Sequence, residues 1–236
     1  NPQNTKWVLY GAAGTYLLGS FKVITFNPET DKLNYYRWKM NAAQTFNNNP
    51  STDGRRIQIG WGQIDQKGMP FNGMMMFPTE FSLRTTKEGI RLFSEPIAEI
   101  ETLHQKSYQW KNLTRDEANL KFKELQGDLF RLKMKIKLLD GTSFGLKFNG
   151  NSILHYDMNW NNLNGEFYGG DQIEKMEFYY EILLDRTSVE LFADHGKFCL
   201  IAPMPEAKNT DGLEFEDWSA IQVQELEVQE LGSVWK

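Results

Sequence analysis

Residues 185–201 read DRTSVELFADHGKFCLI, and their pattern decides the fold. Val189, Leu191 and Ala193 fall on every second position, the period of a strand with one face toward a core. Asp194-His195-Gly196 is a tight-turn tripeptide, because Asp and Gly tolerate the backbone angles that a reversal needs. The apolar run 198–202 reads as the returning strand. A strand, a turn and a strand of this kind predict antiparallel pairing.

The same period extends outward from it. Phe130, Leu132, Met134, Ile136 and Leu138 alternate with Arg131, Lys133, Lys135 and Lys137, which predicts a half-buried strand with a solvated basic face. Asp140-Gly141 then reads as a turn, and Phe144, Leu146 and Phe148 as the second arm of a hairpin. Further strands are expected at 153–156, at 178–184 and along the tail 220–235. The apolar parity of the tail switches from Ile221/Val223 to Leu226/Val228, so a β-bulge is expected near Gln224-Glu225. A polar Asn/Gly loop runs to Gly170. One stretch breaks the period. Thr114-Arg115-Asp116-Glu117 is a capping box followed by Ala118, Phe122 and Leu125 at helical spacing, so one short helix should end before Gly127. Residues 6–10, 16–21 and 57–61 read as strands separated by turn-rich segments at 27–31 and 47–53. Many short strands with turn residues between them predict an all-β protein built around an antiparallel β-sandwich.

Composition narrows the function classes. The 236 residues are 40% hydrophobic, enough for one or two real cores. The formal net charge of −5, without a long basic stripe, argues against nucleic acid as a partner. No apolar run approaches the roughly 20 residues of a membrane helix, and no signal-peptide pattern is present. The chain opens on Asn1-Pro2-Gln3 without an initiator Met, so an excised or processed piece is expected. Cys199 is the single cysteine and sits in an apolar run, which predicts a buried thiol and excludes both an internal disulfide and a thiolate metal cluster.

Catalytic signatures are sparse. His104, His155 and His195 are the only histidines, no two have metal spacing, and no Gly-x-Ser-x-Gly elbow occurs. Gly11-Ala12-Ala13-Gly14 lacks the lysine of a phosphate loop. No metal or cofactor is implied. Glycoside hydrolysis needs two carboxylates roughly 5–10 Å apart. Among 31 acids, Glu80, Asp185 and Asp194 stand out, but Asp185 beside Arg186 reads equally as an ion pair. Seven tryptophans would suit sugar stacking or a sandwich core. Met69, Met74, Met75 and Met76 read as adaptable packing around a soft boundary near 68–78.

Several segments carry a more specific signal. Ala42-Ala43-Gln44-Thr45-Phe46, then Gly54-Arg55-Arg56-Ile57-Gln58-Ile59-Gly60-Trp61, then Pro78-Thr79-Glu80-Phe81-Ser82-Leu83 resemble the last blade and domain junction of glycoside hydrolase family 32, the β-fructosidases. Residues 185–192, Asp194-His195-Gly196 and the closing Leu231-Gly232-Ser233-Val234-Trp235 resemble the family's C-terminal sandwich. The segments occur in the family's order and span nearly the whole chain. The resemblance implies a five-bladed β-propeller followed by a sandwich of the concanavalin-like jelly-roll kind. Residues 1–78 would be the last propeller blade and junction, and 79–236 the sandwich. It implies retaining hydrolysis of β-fructosidic bonds in levan, inulin or sucrose, without metal or cofactor. The family's nucleophile motif Asn-Asp-Pro-Asn-Gly, its Arg-Asp-Pro and its Glu-Cys acid/base do not occur in these residues. The resemblance therefore covers a C-terminal portion only, and this chain alone is not expected to catalyse the reaction.

Two residues correspond to the family's sugar pocket: Trp61, and Asn41 where the family carries Tyr before Ala-Ala-Gln. Phe21-Lys22-Val23 stands where the family has Phe-Asp-Gly. The resemblance also implies a periplasmic or extracellular location, and partners in the form of a fructan or sucrose-type carbohydrate and the missing propeller blades or a second chain. A non-catalytic carbohydrate-binding or assembly sandwich is the alternative.

Overall fold

The computed structural model describes residues 5–35, 39–50, 52–168 and 176–233. Trp38, Val234, Trp235 and the end of the Asn/Gly loop lie outside them. The chain divides into two compact units, Asn1–Ile97 with Gly196–Ile201, and Ala98–His195 with Ala202–Lys236.

The first unit holds two small antiparallel sheets. One has the order β1 (Trp7–Tyr10), β2 (Thr15–Lys22), β3 (Thr25–Pro28), with β4 (Leu33–Asn34) on β2. The other has the order β5 (Met40–Thr45), β6 (Arg56–Gly62), β8 (Thr79–Thr86), β9 (Gly89–Pro96), with β7 (Met74–Met75) on β6. Tyr16, Tyr35 and Phe81 bind the two sheets. Tyr16 and Tyr35 meet edge to face at 6.1 Å, Tyr35 and Phe81 at 5.2 Å. The Leu92 amide donates to the Tyr16 hydroxyl at 3.0 Å, so the phenol is both core and staple. A division between residues 78 and 79 falls between β7 and β8, whereas contacts group β8 and β9 with the first unit. At the β2–β3 turn Val23 holds φ 59. A β-branched residue is strained in that left-handed region by roughly 1–3 kcal/mol, which a glycine would not be.

The second unit is an antiparallel sandwich. A 3-10 helix, Ala98–Leu103, leads into the first sheet. That sheet runs β10 (His104–Thr114), β20 (Ile221–Leu231), β11 (Phe130–Leu138), β16 (Glu177–Leu184), β17 (Ser188–Ala193). The facing sheet runs β15 (Glu166–Phe167), β14 (Asn162–Leu163), β13 (Asn151–Asp157), β12 (Ser143–Phe148), β19 (Leu213–Phe215). The inward faces meet through Phe144 on Phe178 at 5.2 Å, Tyr156 on Phe178 at 4.5 Å and Phe130 on Phe148 at 6.0 Å. Leu132, Met134 and Ile136 of β11 are wholly buried, each contributing roughly 1.5–3 kcal/mol. From β17 the chain turns at Asp194-His195-Gly196 into β18 (Phe198–Pro203), as the opening stretch predicts. All three turn residues take positive φ, at 48, 58 and 77 degrees.

The tail forms one strand with its bulge where the parity switch predicts it. Lys135 faces Glu225 and Ile136 faces Val223, leaving Gln224 as the extra residue. The helix forms as α1 (Arg115–Phe122) with the full capping box, although it stops before Leu125. Its Asn119 accepts from the Phe215 amide at 2.8 Å and donates to the Phe215 carbonyl at 3.1 Å, capping the short edge strand β19.

Three readings need correction. Residues 130–148 are not a hairpin, because β11 and β12 lie in opposite sheets. The Asp140-Gly141 turn carries the chain across the sandwich, where Leu139 donates to the Ala220 carbonyl. Alternation in both strands reports one buried face each and is silent about who pairs with whom. Arg131 is not on a solvated face either. It is 5% exposed, since β16 and β20 flank its strand, and it binds Glu181 and Glu101 at 2.6 Å each. Finally, the Arg186 guanidinium pairs with Asp128 at 2.8 Å, while Asp185 accepts from the Arg186 backbone amide at 2.7 Å.

Candidate functional site

The two sequence-predicted site residues come together in the first unit. Asn41 on β5 stands directly opposite Trp61 on β6, and Trp61 stands opposite Met75 on β7. Directly paired residues share a sheet face, so the three side chains form a row across three strands. Trp61 is 42% exposed and Met75 more so, giving the row an open apolar surface. Between Asn41 and Gln44 the register slips. Ala42 takes φ 50 there, and its amide donates to Asn41 Oδ1 at 2.8 Å. The oxygen of the amide is thus committed to the backbone, and Nδ2 is the group that can serve a ligand.

Trp61 is fixed from below. A Cβ on Gly73 would stand 2.2 Å from the indole Nε1, so only a glycine lets the ring lie there. The Gly73 amide donates to the Ile64 carbonyl at 2.9 Å, closing the loop before β7. Sequence reading missed both Gly73 and Met75. Met75 sat in a methionine cluster read as packing, and a two-residue strand such as β7 is too short to show a period.

Behind the row lies a buried polar chain. Tyr35 donates to Gln58 Oε1 at 2.9 Å, Gln58 Nε2 to Thr79 Oγ1 at 3.3 Å, and Ser94 Oγ to the same Thr79 oxygen at 2.7 Å. Burial pushes the Tyr35 phenol well above its ordinary range, so it stays protonated and serves as a donor. These are bracing contacts, and a fully connected network of this kind rigidifies the strands that carry the row.

The carboxylates singled out in the sequence take separate places. Glu80 pairs across β8–β9 with Glu95, which binds Arg84. Asp185 and Asp194 belong to the second unit, where each holds a turn. The Asp185 amide donates to the Ser188 carbonyl and the Asp194 amide to the Tyr179 carbonyl, both at 2.9 Å. His195 stacks flat on Tyr179, with centroids 3.9 Å apart and planes at 14°. Among the described residues no group of three His, Cys, Asp or Glu could hold a metal ion. An aromatic face with one amide donor can bind a sugar ring, and it supplies neither nucleophile nor acid.

No protein-family model matches the chain. The levanase of Bacillus subtilis (strain 168) is 25% identical to it, over 100% of this chain and 41% of that protein. The chain is thus similar to a C-terminal portion of a levanase and of glycoside hydrolase family 32 β-fructosidases. The exo-inulinase of Aspergillus awamori superposes with a TM-score of 0.72 at 17% identity, over 98% of this chain and 55% of that one. The sucrose-6-phosphate hydrolase of Lactobacillus gasseri gives 0.65 at 16% identity, over 93% and 48%. The chain thus spans about half the length, or less, of the family 32 relatives it matches. Those structural likenesses carry the fold: the chain is mostly antiparallel strand, and its structural neighbours carry a C-terminal β-sandwich.

Proposed function

We propose that this chain is the C-terminal part of a retaining glycoside hydrolase that cleaves β-fructosidic bonds in levan, inulin or sucrose. The end-to-end match to a levanase carries this reading. Residues 1–78 would then be the last blade of a five-bladed propeller with its junction, and 79–236 the sandwich domain. Trp61 and Asn41 would face the fructose pocket from that blade, the indole offering its face to the ring and Nδ2 a hydrogen bond. Neither is placed to do bond-breaking chemistry. A retaining mechanism needs a nucleophile and an acid/base carboxyl in one pocket. The family motifs that supply them are absent from these residues.

The partner would be the remaining propeller blades or a second chain. Trp7 and Phe21 are exposed on the first sheet, Val23 and Ile24 at its β2–β3 turn, and β1 is its edge strand. Levanase-like action on a polymer fits a location outside the cytoplasm. Among the described residues no helix is long and apolar enough to cross a membrane.

The test is direct. The 236-residue chain is incubated with levan, inulin and sucrose, and released fructose is measured. No release is expected from the chain alone. Calorimetric titration with levan-derived oligosaccharides should show weak binding that Trp61→Ala reduces roughly tenfold, the size of one lost aromatic contact. Fructose release by the chain alone, or fructan binding with no Trp61-dependent component, would overturn the respective part.

A further inference from the structure

We infer that the outer face of the β15–β14–β13–β12–β19 sheet in the second unit carries a second sugar-binding site, built on Trp218 and Glu216 over Gly145. It lies apart from the Asn41–Trp61 row in sequence and in unit. Only the choice of fructan as its sugar rests on the family reading.

The alternation of β12 turns Phe144, Leu146 and Phe148 inward, so Gly145 and Lys147 face outward. Gly145 is a notch in that outer face. A Cβ there would stand 2.3 Å from Glu216 Oε2 and 3.0 Å from Trp218 Cζ3. The missing side chain thus lets a carboxylate and an indole settle onto the strand together. Glu216 is only 7% exposed. Its Oε1 accepts from Lys147 Nζ at 2.7 Å, whereas its buried Oε2 has no hydrogen-bond partner among the described residues. Trp218 is 46% exposed and meets the His155 ring edge-on at 4.9 Å and 71°.

A dry carboxylate oxygen without a donor is costly, by about 1–3 kcal/mol or more. Folded proteins keep few such groups, and each calls for a reason. The chemistry of the site says what donor it would take. An anion is repelled by the carboxylate. A cation lacks ligands, since no group of three metal-binding side chains exists among the described residues. A neutral molecule with hydroxyl donors and a flat C–H face fits both parts. One hydroxyl would donate to Oε2 while the sugar ring lies on the exposed indole face, and the edge-to-face contact with His155 steadies that indole. Oε2 is buried and, like the Trp218 ring edge, lies against Gly145, so binding would require the ring to tip toward solvent. The ring's own signals therefore report occupancy.

The experiment uses the full chain with its indole N–H groups observed by NMR. It is titrated with a levan-derived tetrasaccharide, an inulin-derived tetrasaccharide and maltotetraose. The Trp218 indole signal should move with at least one of them, in saturable fashion. Trp218→Ala and Glu216→Gln should each weaken that sugar roughly tenfold, while Trp61→Ala leaves the Trp218 response unchanged. Should Trp218→Ala fail to fold, Glu216→Gln in the parent background still decides. A Trp218-dependent response to maltotetraose alone would uphold the site and count against fructan as its sugar. No movement of the Trp218 signal with any of the three would overturn the inference. So would binding that survives both second-unit variants.

Discussion

At Gly196 the backbone runs at φ 77, and a Cβ would stand 2.0 Å from the Ser94 carbonyl oxygen. Ser94 in turn donates its amide to the Gly196 carbonyl at 2.9 Å. Two backbones touch here, and neither can retreat, because Ser94 is fully buried in β9. Gly196→Ala therefore combines left-handed strain with a backbone clash. It should lower the unfolding free energy by roughly 3 kcal/mol or more. A urea titration would show this as a lower midpoint at unchanged slope. A midpoint equal to the parent's would rule out the close approach. The turn itself was legible in the sequence, since Asp-His-Gly is a reversal in any context. Its contact with Ser94 was not, because no local pattern encodes which distant backbone a glycine will meet. Asn41 and Trp61 show the same split. Resemblance located both, and only the register shows them opposite each other with Oδ1 already engaged.

Among the elements, α1 was the most legible, because its start is written in side-chain chemistry. Thr114 Oγ1 accepts from the Glu117 amide at 3.3 Å, and Glu117 Oε2 accepts from the Thr114 amide at 2.8 Å. Those bonds to the carboxylate hold the Glu117 carboxyl below its ordinary value, the Thr114 backbone bond first. A depressed folded pKa stabilises the fold fully above the unfolded value near 4.5, and the effect fades as pH falls through the lower folded value. Thr114→Ala should cost about 1 kcal/mol at pH 7. Its deficit relative to the parent should shrink as pH drops from 5 toward 3, which thermal unfolding across that range would show. A deficit constant with pH would mean the Thr114 hydroxyl adds nothing to the hold on the Glu117 carboxylate. Strand pairing was less legible. The bulge at Gln224 was readable because a parity switch is a local signal. The partition of β11 and β12 into opposite sheets was not, because a turn after a strand looks alike whether the chain folds back or crosses over.

At the scale of the whole molecule, the sequence suggests a boundary near residue 78 but gives no hint that Gly196–Ile201 groups with the first unit. Those residues read as the return arm of a local strand pair, and locality favours keeping them with their neighbours. Contact overrides locality here. The Cys199 amide donates to the Tyr35 carbonyl at 2.9 Å, and the thiol lies 3.5 Å from the Ser94 carbonyl oxygen. Phe198, Cys199, Leu200 and Ile201 are all buried. The two halves of the chain are therefore not separable by a single cut at residues 97/98. A fragment of residues 98–236 would keep this apolar stretch but lose Tyr35 and Ser94. Cys199 should then turn from a protected thiol into an accessible one. In the full chain a disulfide reagent such as DTNB should label it only after denaturant is added. In the fragment labelling should be complete without denaturant, and the bared apolar residues should bind ANS. A fragment that shields Cys199 as well as the full chain does would mean the second unit buries this segment by itself.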